Sequence, residues 1–174
     1  ISNNSPAVAF SNYELLADLF IYPDSESYRE RIKIIHQYLS KYLPEAADEM
    51  KLFMEFLESA TLIEMQELYL RSFDIQAITT LDIGFILFGE DYKRGQLLVN
   101  LNREHREAGN ACYTELSDHL PNVLRLLPKM TDEAMRNEIA TRLVMPAILK
   151  MNGEFSDEKI QKKDEIASSL QHRL

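Results

Sequence analysis

The sequence predicts an all-α fold, a bundle of about eight helices in a single domain that spans residues 1–174. Three observations favour this fold. Capping motifs recur, in which a serine or threonine stands three residues before a glutamate; apolar side chains follow at helical spacing; and only 5 glycines and 6 prolines occur in 174 residues. A chain of this length buries about 70% of its unfolded surface, so it can form a core without disulfides or metals.

Two capping motifs predict the first two helices. Residues 11–14 open the first, which we expect to run to about Phe20 and to end before Pro23, and residues 27–30 open the second, which ends at Pro44. One face of the second helix carries its apolar residues, which are Tyr28, Ile32, Ile35, Leu39 and Tyr42.

Apolar spacing and a third capping motif predict the next helices. Met50, Phe53, Phe56 and Leu57 mark a third helix, and residues 61–64 cap a fourth. Residues 75–88 are apolar and nearly uncharged, so periodicity does not separate a buried helix from a pair of strands. We favour a buried helix.

Glycine, aspartate and threonine set the ends of the helices that follow. Gly89 ends the buried helix, Asp91 caps the next one, and Gly109 stops that helix before a loop at residues 110–118. Residues 121–127 form a short helix, and Thr131 caps another that Pro146 kinks or ends. The tail from about residue 157 has few apolar residues, and we expect it to fray or to lie across the surface.

The negative charge is concentrated in one segment of the chain. Residues 44–91 hold 11 acidic and 2 basic residues, so this segment alone accounts for the net charge of 19 − 28 = −9. Such a surface repels nucleic acid and anionic lipid, and it attracts cationic partners. Solvated helix faces rich in glutamate explain the same count without any partner.

Cysteine content and hydropathy predict a cytoplasmic protein. Cys112 is the single cysteine, so it forms no internal disulfide and no thiolate cage for a metal. Apolar runs without charge are only about seven residues long, against the roughly 20 that cross a bilayer. The first residues also lack the pattern of a signal peptide.

Sequence patterns for metal and phosphate chemistry are missing. The chain has no Glu-x-x-His pair for a di-iron site, no His-x-x-x-His motif for zinc and no glycine-rich phosphate loop. We therefore expect no cofactor, no metal and no enzymatic activity. The alternative is a cryptic hydrolase in which Cys112 is the nucleophile and His105 or His119 is its base.

Three short segments carry a resemblance to a known family. These are residues 69–74 (YLRSFD), 89–95 (GEDYKRG) and 115–121 (ELSDHLP). They resemble the cytoplasmic molybdoenzyme-maturation chaperones, which include the nitrate reductase delta-subunit (NarJ) proteins, TorD and DmsD. The spacing is closer to the NarJ branch than to TorD. Ser117 stands where the family has proline, and Glu90 where it has aspartate.

The resemblance implies a non-enzymatic chaperone. Its partner is the apo catalytic subunit of a molybdopterin oxidoreductase, bound through an N-terminal leader that is often a twin-arginine export signal. Such chaperones keep the subunit competent for cofactor insertion and delay its export or membrane assembly. A leader with two arginines and an apolar stretch requires carboxylates for its guanidinium groups and an apolar groove for the remainder.

The residues expected to bind the leader are of two kinds. The candidate partners of the leader arginines are Asp74, Glu90, Asp91 and Asp118. Asp74 and Asp118 also fit capping positions. Candidate apolar or stacking residues, which also fit a helical core, are Tyr69, Phe73, Phe85, Phe88 and Tyr92.

Two further residues of these segments have predicted roles. Arg94 is expected to hold the junction by pairing with Asp118 or Glu115. His119 is either a satisfied loop histidine or a leader contact whose charge changes near neutral pH. A generic helical adaptor that binds a folded partner is the alternative function, and the sequence leaves open both a monomer and a helix-exchanged dimer.

Overall fold

Helices make up most of the chain, which the computed structural model describes over residues 12–171. No β-strand forms within this range, and the one isolated β-bridge there joins Asp82 and His119. The predicted all-α fold is confirmed. No helix among the described residues has both the length and the hydropathy needed to cross a membrane.

The α-helices are α1 (Tyr13–Ala17), α2 (Ser27–Tyr42), α3 (Pro44–Glu49), α4 (Lys51–Ser59), α5 (Leu62–Phe73), α6 (Ile83–Phe88), α7 (Tyr92–Glu107), α8 (Leu120–Leu126), α9 (Glu133–Ile139), α10 (Met145–Gly153) and α11 (Asp157–Gln171). A 3-10 turn, Asp18–Phe20, extends α1, and a second, Leu127–Lys129, extends α8. A π-helical turn, Ala140–Val144, joins α9 to α10.

The helices enclose two apolar clusters. The first lies among α2, α3, α4 and the start of α5, and its buried members are Tyr28, Ile32, Ile35, Leu39, Ala47, Leu57, Ala60 and Met65. The second lies among α1, α6, α7, α8, α9 and α10, with α1 packed on α8 and α6 packed on α10. Helix α5 contributes Met65 to the first cluster and packs Tyr69 and Phe73 against the second, so it connects the two.

Local capping chemistry is confirmed at several helix ends. Thr61 and Glu64 form a complete capping box, and Asp91 accepts a hydrogen bond from the Lys93 N–H. Gly89 and Gly109 both have positive φ at the ends of their helices, a conformation that glycine adopts without strain. The motif predicted at residues 11–14 begins outside the described residues.

Two other capping predictions are wrong. Ser27 is already the first residue of α2, and its hydroxyl contacts Ser25 at 2.8 Å, while Glu30 pairs with Lys33 at 3.0 Å. Asp132, rather than Thr131, caps α9 by accepting a hydrogen bond from the Met135 N–H at 3.0 Å. In each case a neighbouring polar side chain offers a competing bond.

The predicted buried helix at residues 75–88 is also wrong over its first half. Only α6 is helical there, because the N–H groups of Ile78 and Thr79 bond back to carbonyls of Arg71 and Ser72, both at 3.0 Å. Gln76 has a φ of 49°, which interrupts a right-handed helix. The predicted third helix, marked by Met50, Phe53, Phe56 and Leu57, is confirmed as α4, and α3 is an additional helix that the apolar spacing did not predict.

The C-terminal half of the chain differs from expectation at Pro146 and agrees with one of the two expected outcomes for the tail. Pro146 has no backbone N–H to donate to the preceding turn. The helix nevertheless continues through it, because the turn directly before it is π-helical and wider than an α-helical turn. The tail forms α11 and lies across the end of α5, where Asp164 pairs with Arg71, and across the segment after α5, where Lys163 donates to the Ile78 carbonyl.

Gly84, on α6, has no room for a side chain. A Cβ there would lie 2.6 Å from Asp118 Oδ2 and 3.0 Å from Leu97 Cδ2. We expect Gly84→Ala to lower the free energy of unfolding by about 2 kcal/mol, since overpacking a filled site costs about 1–3 kcal/mol. Urea unfolding measures this change.

Gly95, on α7, provides the matched control. A Cβ there meets nothing within 4 Å, so Gly95→Ala should raise the free energy of unfolding by about 0.5–1 kcal/mol through helix propensity alone. Equal effects of the two substitutions would contradict the close packing at Gly84.

Candidate functional site

Arg94 connects two segments of the chain that the sequence singled out. Its Nε donates to Asp118 Oδ2 and its Nη2 to Asp82 Oδ2, both at 3.1 Å. Asp118 is 0% exposed and also accepts a hydrogen bond from the Gly84 N–H at 3.1 Å. The predicted pairing of Arg94 with Asp118 is confirmed, while its second partner is Asp82 instead of Glu115.

Backbone contacts bring these side chains together. The Ile83 N–H bonds to the Asp118 carbonyl at 3.0 Å, and the Leu120 N–H bonds to the Leu81 carbonyl at 2.8 Å. Asp91 caps the start of α7, so Arg94 lies in the first turn of that helix, opposite the β-bridge between Asp82 and His119. The four residues Asp82, Arg94, Asp118 and His119 are called the ion-pair network below.

His119 joins the ion-pair network to the protein surface. Its Nδ1 lies 3.0 Å from Asp82 Oδ1 and 3.9 Å from Glu115 Oε2. The hydrogen bond from His119 holds the pKa of Asp82 below its ordinary value, with help from Arg94 and against the effect of burial. Asp82 therefore stays ionised between two cationic or hydrogen-bonding neighbours.

Buried polar side chains hold the loop at residues 110–118. His105 Nε2 donates to the Ser117 carbonyl at 2.9 Å, and His105 Nδ1 accepts from Asn110 at 3.0 Å. The Ser117 hydroxyl donates to the Leu98 carbonyl at 3.1 Å, and the Asn122 amide donates to the Leu116 carbonyl at 3.0 Å. These bonds fix the loop, and Ser117 takes part in them through both its hydroxyl and its carbonyl.

An apolar cavity of about 220 Å³ lies where the two clusters meet. We call it the aromatic cavity, and its lining residues include Phe20, Phe53, Phe56, Tyr69, Phe73 and Phe155. The Tyr69 ring meets Tyr22 and Phe73 edge to face, at centroid distances of 5.5 and 5.4 Å. Tyr69 and Phe73 thus lie together, as the sequence grouped them.

Two carboxylates act on Tyr69, which lines this cavity. The pKa of Tyr69 is raised to about 12, chiefly by burial and also by the charges of Glu115 and Asp74. Asp74 is exposed at the end of α5, and the Glu115 side chain is 58% exposed. The charges of both residues thus act on Tyr69, although neither residue lines the cavity itself.

The other predicted residues occupy different surroundings. Glu90, Asp91 and Tyr92 are exposed at the junction of α6 and α7, where Asp91 serves as the cap. Phe88 lines a groove between α7 and α9 together with Leu97 and Met135. Phe85 lines a third surface, among lysines. The twelve candidates do not form one continuous patch.

Asp118 is a correction to the sequence prediction. We expected it to pair with an arginine of the leader, but it is inaccessible and its charge is balanced by Arg94 of the same chain. Sequence reasoning also missed Asp82, Asn110 and Asn122. Asn110 and Asn122 lie at either end of the loop, and both are buried. Their sequence positions indicate this role only once the position of the loop is known.

The environment of Cys112 is that of an unreactive thiol. Burial raises the pKa of Cys112, whereas a nucleophilic cysteine needs a lowered one. Both ring nitrogens of His105 are engaged elsewhere, and Nδ1 of His119 contacts Asp82. Among the described residues, no group of three or more His, Cys, Asp or Glu side chains is arranged to hold a metal ion.

We expect Asp118→Asn to lower the free energy of unfolding by about 3 kcal/mol, because it removes the buried charged partner of Arg94 and leaves Arg94 paired with Asp82 alone. Urea unfolding at pH 7 measures the loss. Glu90→Gln is the control: this exposed side chain forms no hydrogen bond in the described structure, so its variant should stay within about 0.5 kcal/mol of the parent. Equal midpoints for both variants would contradict the structural role of Asp118.

His105 predicts a pH dependence of stability. Burial lowers the pKa of His105 from its ordinary 6.5, so below pH 6.5 the unfolded chain binds protons more readily than the folded one. The stability contributed by neutral His105 is present above pH 6.5 and is lost as the pH falls through that value. Urea unfolding between pH 7.5 and 5 should show this loss in the parent and less of it in His105→Gln. Parallel pH profiles would contradict it.

Comparisons of the chain with protein-family models, with curated proteins and with solved structures find no match. The function is therefore inferred from the quoted motifs and from the geometry of the site.

Proposed function

We propose that the protein is a cytoplasmic chaperone that binds the N-terminal leader, of the twin-arginine type, of the catalytic subunit of a molybdenum-cofactor oxidoreductase. In this role it supports cofactor insertion and assembly before export or membrane targeting. The proposal is carried by the aromatic cavity, together with the exposed carboxylates of Asp74, which follows Phe73 of its wall, and Glu115, whose charge acts on Tyr69.

The two parts of this site suit the two parts of such a leader. A cavity of about 220 Å³ can accept one or two apolar side chains, and its aromatic walls offer contact at low entropic cost. The exposed carboxylates can accept forked hydrogen bonds from guanidinium groups. The leader would then lie with its apolar stretch over the cavity and its arginines against Asp74 and Glu115.

The ion-pair network gives this arrangement rigidity. His119 contacts Asp82 on one side and approaches Glu115 on the other, so the position of Glu115 depends on the network. A carboxylate that is held in place before binding loses less conformational entropy when a guanidinium group pairs with it. Buried Asp118 and Arg94 therefore support leader binding indirectly, without touching the peptide.

Fluorescence anisotropy with a labelled leader peptide that carries two arginines and an apolar stretch tests the proposal. We expect Glu115→Gln to weaken binding about three- to tenfold, and Asp74→Asn to do the same, because each removes a partly exposed ion pair. Added salt should narrow the difference between parent and variant, since salt screens such pairs.

Glu133→Gln is the matched control. Glu133 is an exposed glutamate on α9, outside the lining of the aromatic cavity, and pairs with Arg136 across one helical turn. This variant should bind the leader as the parent does. Equal affinity of all three variants, or equal affinity for a peptide with both arginines replaced by glutamine, would contradict the proposal. Binding of a folded subunit that lacks the leader would favour a generic adaptor.

A further inference from the structure

A second concave surface lies apart from the aromatic cavity. It is a groove of about 600 Å³ between the loop after α5, helix α6 and the turn that joins α10 to α11. We call it the lysine groove, and its lining residues are Ala77, Ile78, Thr79, Thr80, Phe85, Ile86, Lys150, Gly153, Glu154, Lys159 and Lys163. Its volume lies in the range of about 300–1,000 Å³ that small-molecule sites occupy.

The charge of the lysine groove is opposite to that of the whole chain. Three lysines and one glutamate line it, so its formal charge is 3 − 1 = +2, whereas the chain carries −9. Glu154 pairs with Lys159 at 2.8 Å and lies 3.8 Å from Lys163. Lys150 is exposed and forms no ion pair within the described part of the chain. Positive charge is therefore left uncompensated.

The remaining lining supplies an apolar surface and a free hydroxyl. Phe85 is 42% exposed, and Ile86 lies next to it. The Arg94 guanidinium lies 5.4 Å from the centroid of the Phe85 ring, which fixes that ring in place. The Thr79 hydroxyl has no hydrogen-bond partner in the described structure and is available to a ligand.

This chemistry does not suit a basic leader. Three ammonium groups would repel arginines, although Phe85 belonged to the residues that we expected to bind them. Ammonium groups beside an aromatic ring suit instead a molecule that combines an oxyanion with a ring.

We propose that the lysine groove binds a small organic anion in which a phosphate, or a similar oxyanion, is attached to an aromatic ring. The oxyanion pairs with Lys150 and accepts a hydrogen bond from Thr79, and the ring packs against Phe85 and Ile86. Lys159 and Lys163 add to the positive field, although Lys163 also holds the Ile78 carbonyl. The site is separate from the aromatic cavity, so its ligand and a leader can bind together.

Nuclear magnetic resonance titration of the ¹⁵N-labelled chain with phenyl phosphate tests the proposal. We expect shifts in the amides of residues 77–80, 85–86 and 150–154, with a Kd in the millimolar range or tighter. Inorganic phosphate and benzyl alcohol, which each carry half of the chemistry, should bind at least about tenfold more weakly. Shifts that spread over all exposed lysines would overturn the proposal, and so would stronger binding of hexaglutamate than of phenyl phosphate.

Three variants sharpen the titration. Lys150→Ala should weaken phenyl phosphate binding about tenfold, and Phe85→Ala should remove the preference over inorganic phosphate. Lys162→Ala, an exposed lysine of α11 outside the lining, should change nothing. Equal losses in Lys150→Ala and Lys162→Ala would overturn the proposal. Leader affinity should be unchanged in Lys150→Ala, so the two sites are tested independently.

Discussion

The fork that Arg94 makes between Asp82 and Asp118 is the interaction on which the remainder of the described structure depends. Asp118 is fully buried, and a buried carboxylate is stable only when its charge is paired and hydrogen-bonded. Arg94 supplies the charge, and the Gly84 N–H supplies a second bond. Helices α6, α7 and α8 are thereby joined at one point, and the missing side chain at Gly84 is what allows the carboxylate to approach so closely.

This network also lies between two surfaces of opposite character. On one side, His119 approaches Glu115 beside the aromatic cavity. On the other, Arg94 stacks on Phe85 of the lysine groove. A single set of buried charges therefore positions one residue of each surface. The acidic excess of residues 44–91 does not form a single face: Asp82 is part of the network, Glu64 and Asp91 cap helices, and the charge of Asp74 acts on Tyr69.

Several predictions from the sequence are right where the partners are local, although the local caps expected at Ser27 and Thr131 are wrong. The capping box at Thr61, the cap at Asp91 and the glycine ends at Gly89 and Gly109 each involve atoms within one helical turn, so a short window of sequence contains all the partners. Predictions are wrong where distant partners compete. The stretch before α6 is a loop because its N–H groups bond to the end of α5, and Asp118 is internal because Arg94 lies 24 residues before it.

The sequence by itself determined the all-α fold, several helix ends and the grouping of Tyr69 with Phe73, and it limited the partner of Arg94 to Asp118 or Glu115. These follow from hydrogen bonds inside one turn, from helical spacing and from charge complementarity between short motifs. Tertiary structure alone decided which carboxylates face solvent. Asp118 and Asp74 are the same residue type in comparable motifs, yet one is buried and the other exposed. Burial depends on contacts that cross the whole chain, such as the bond between His119 and Asp82 over 37 residues, and no local pattern records them.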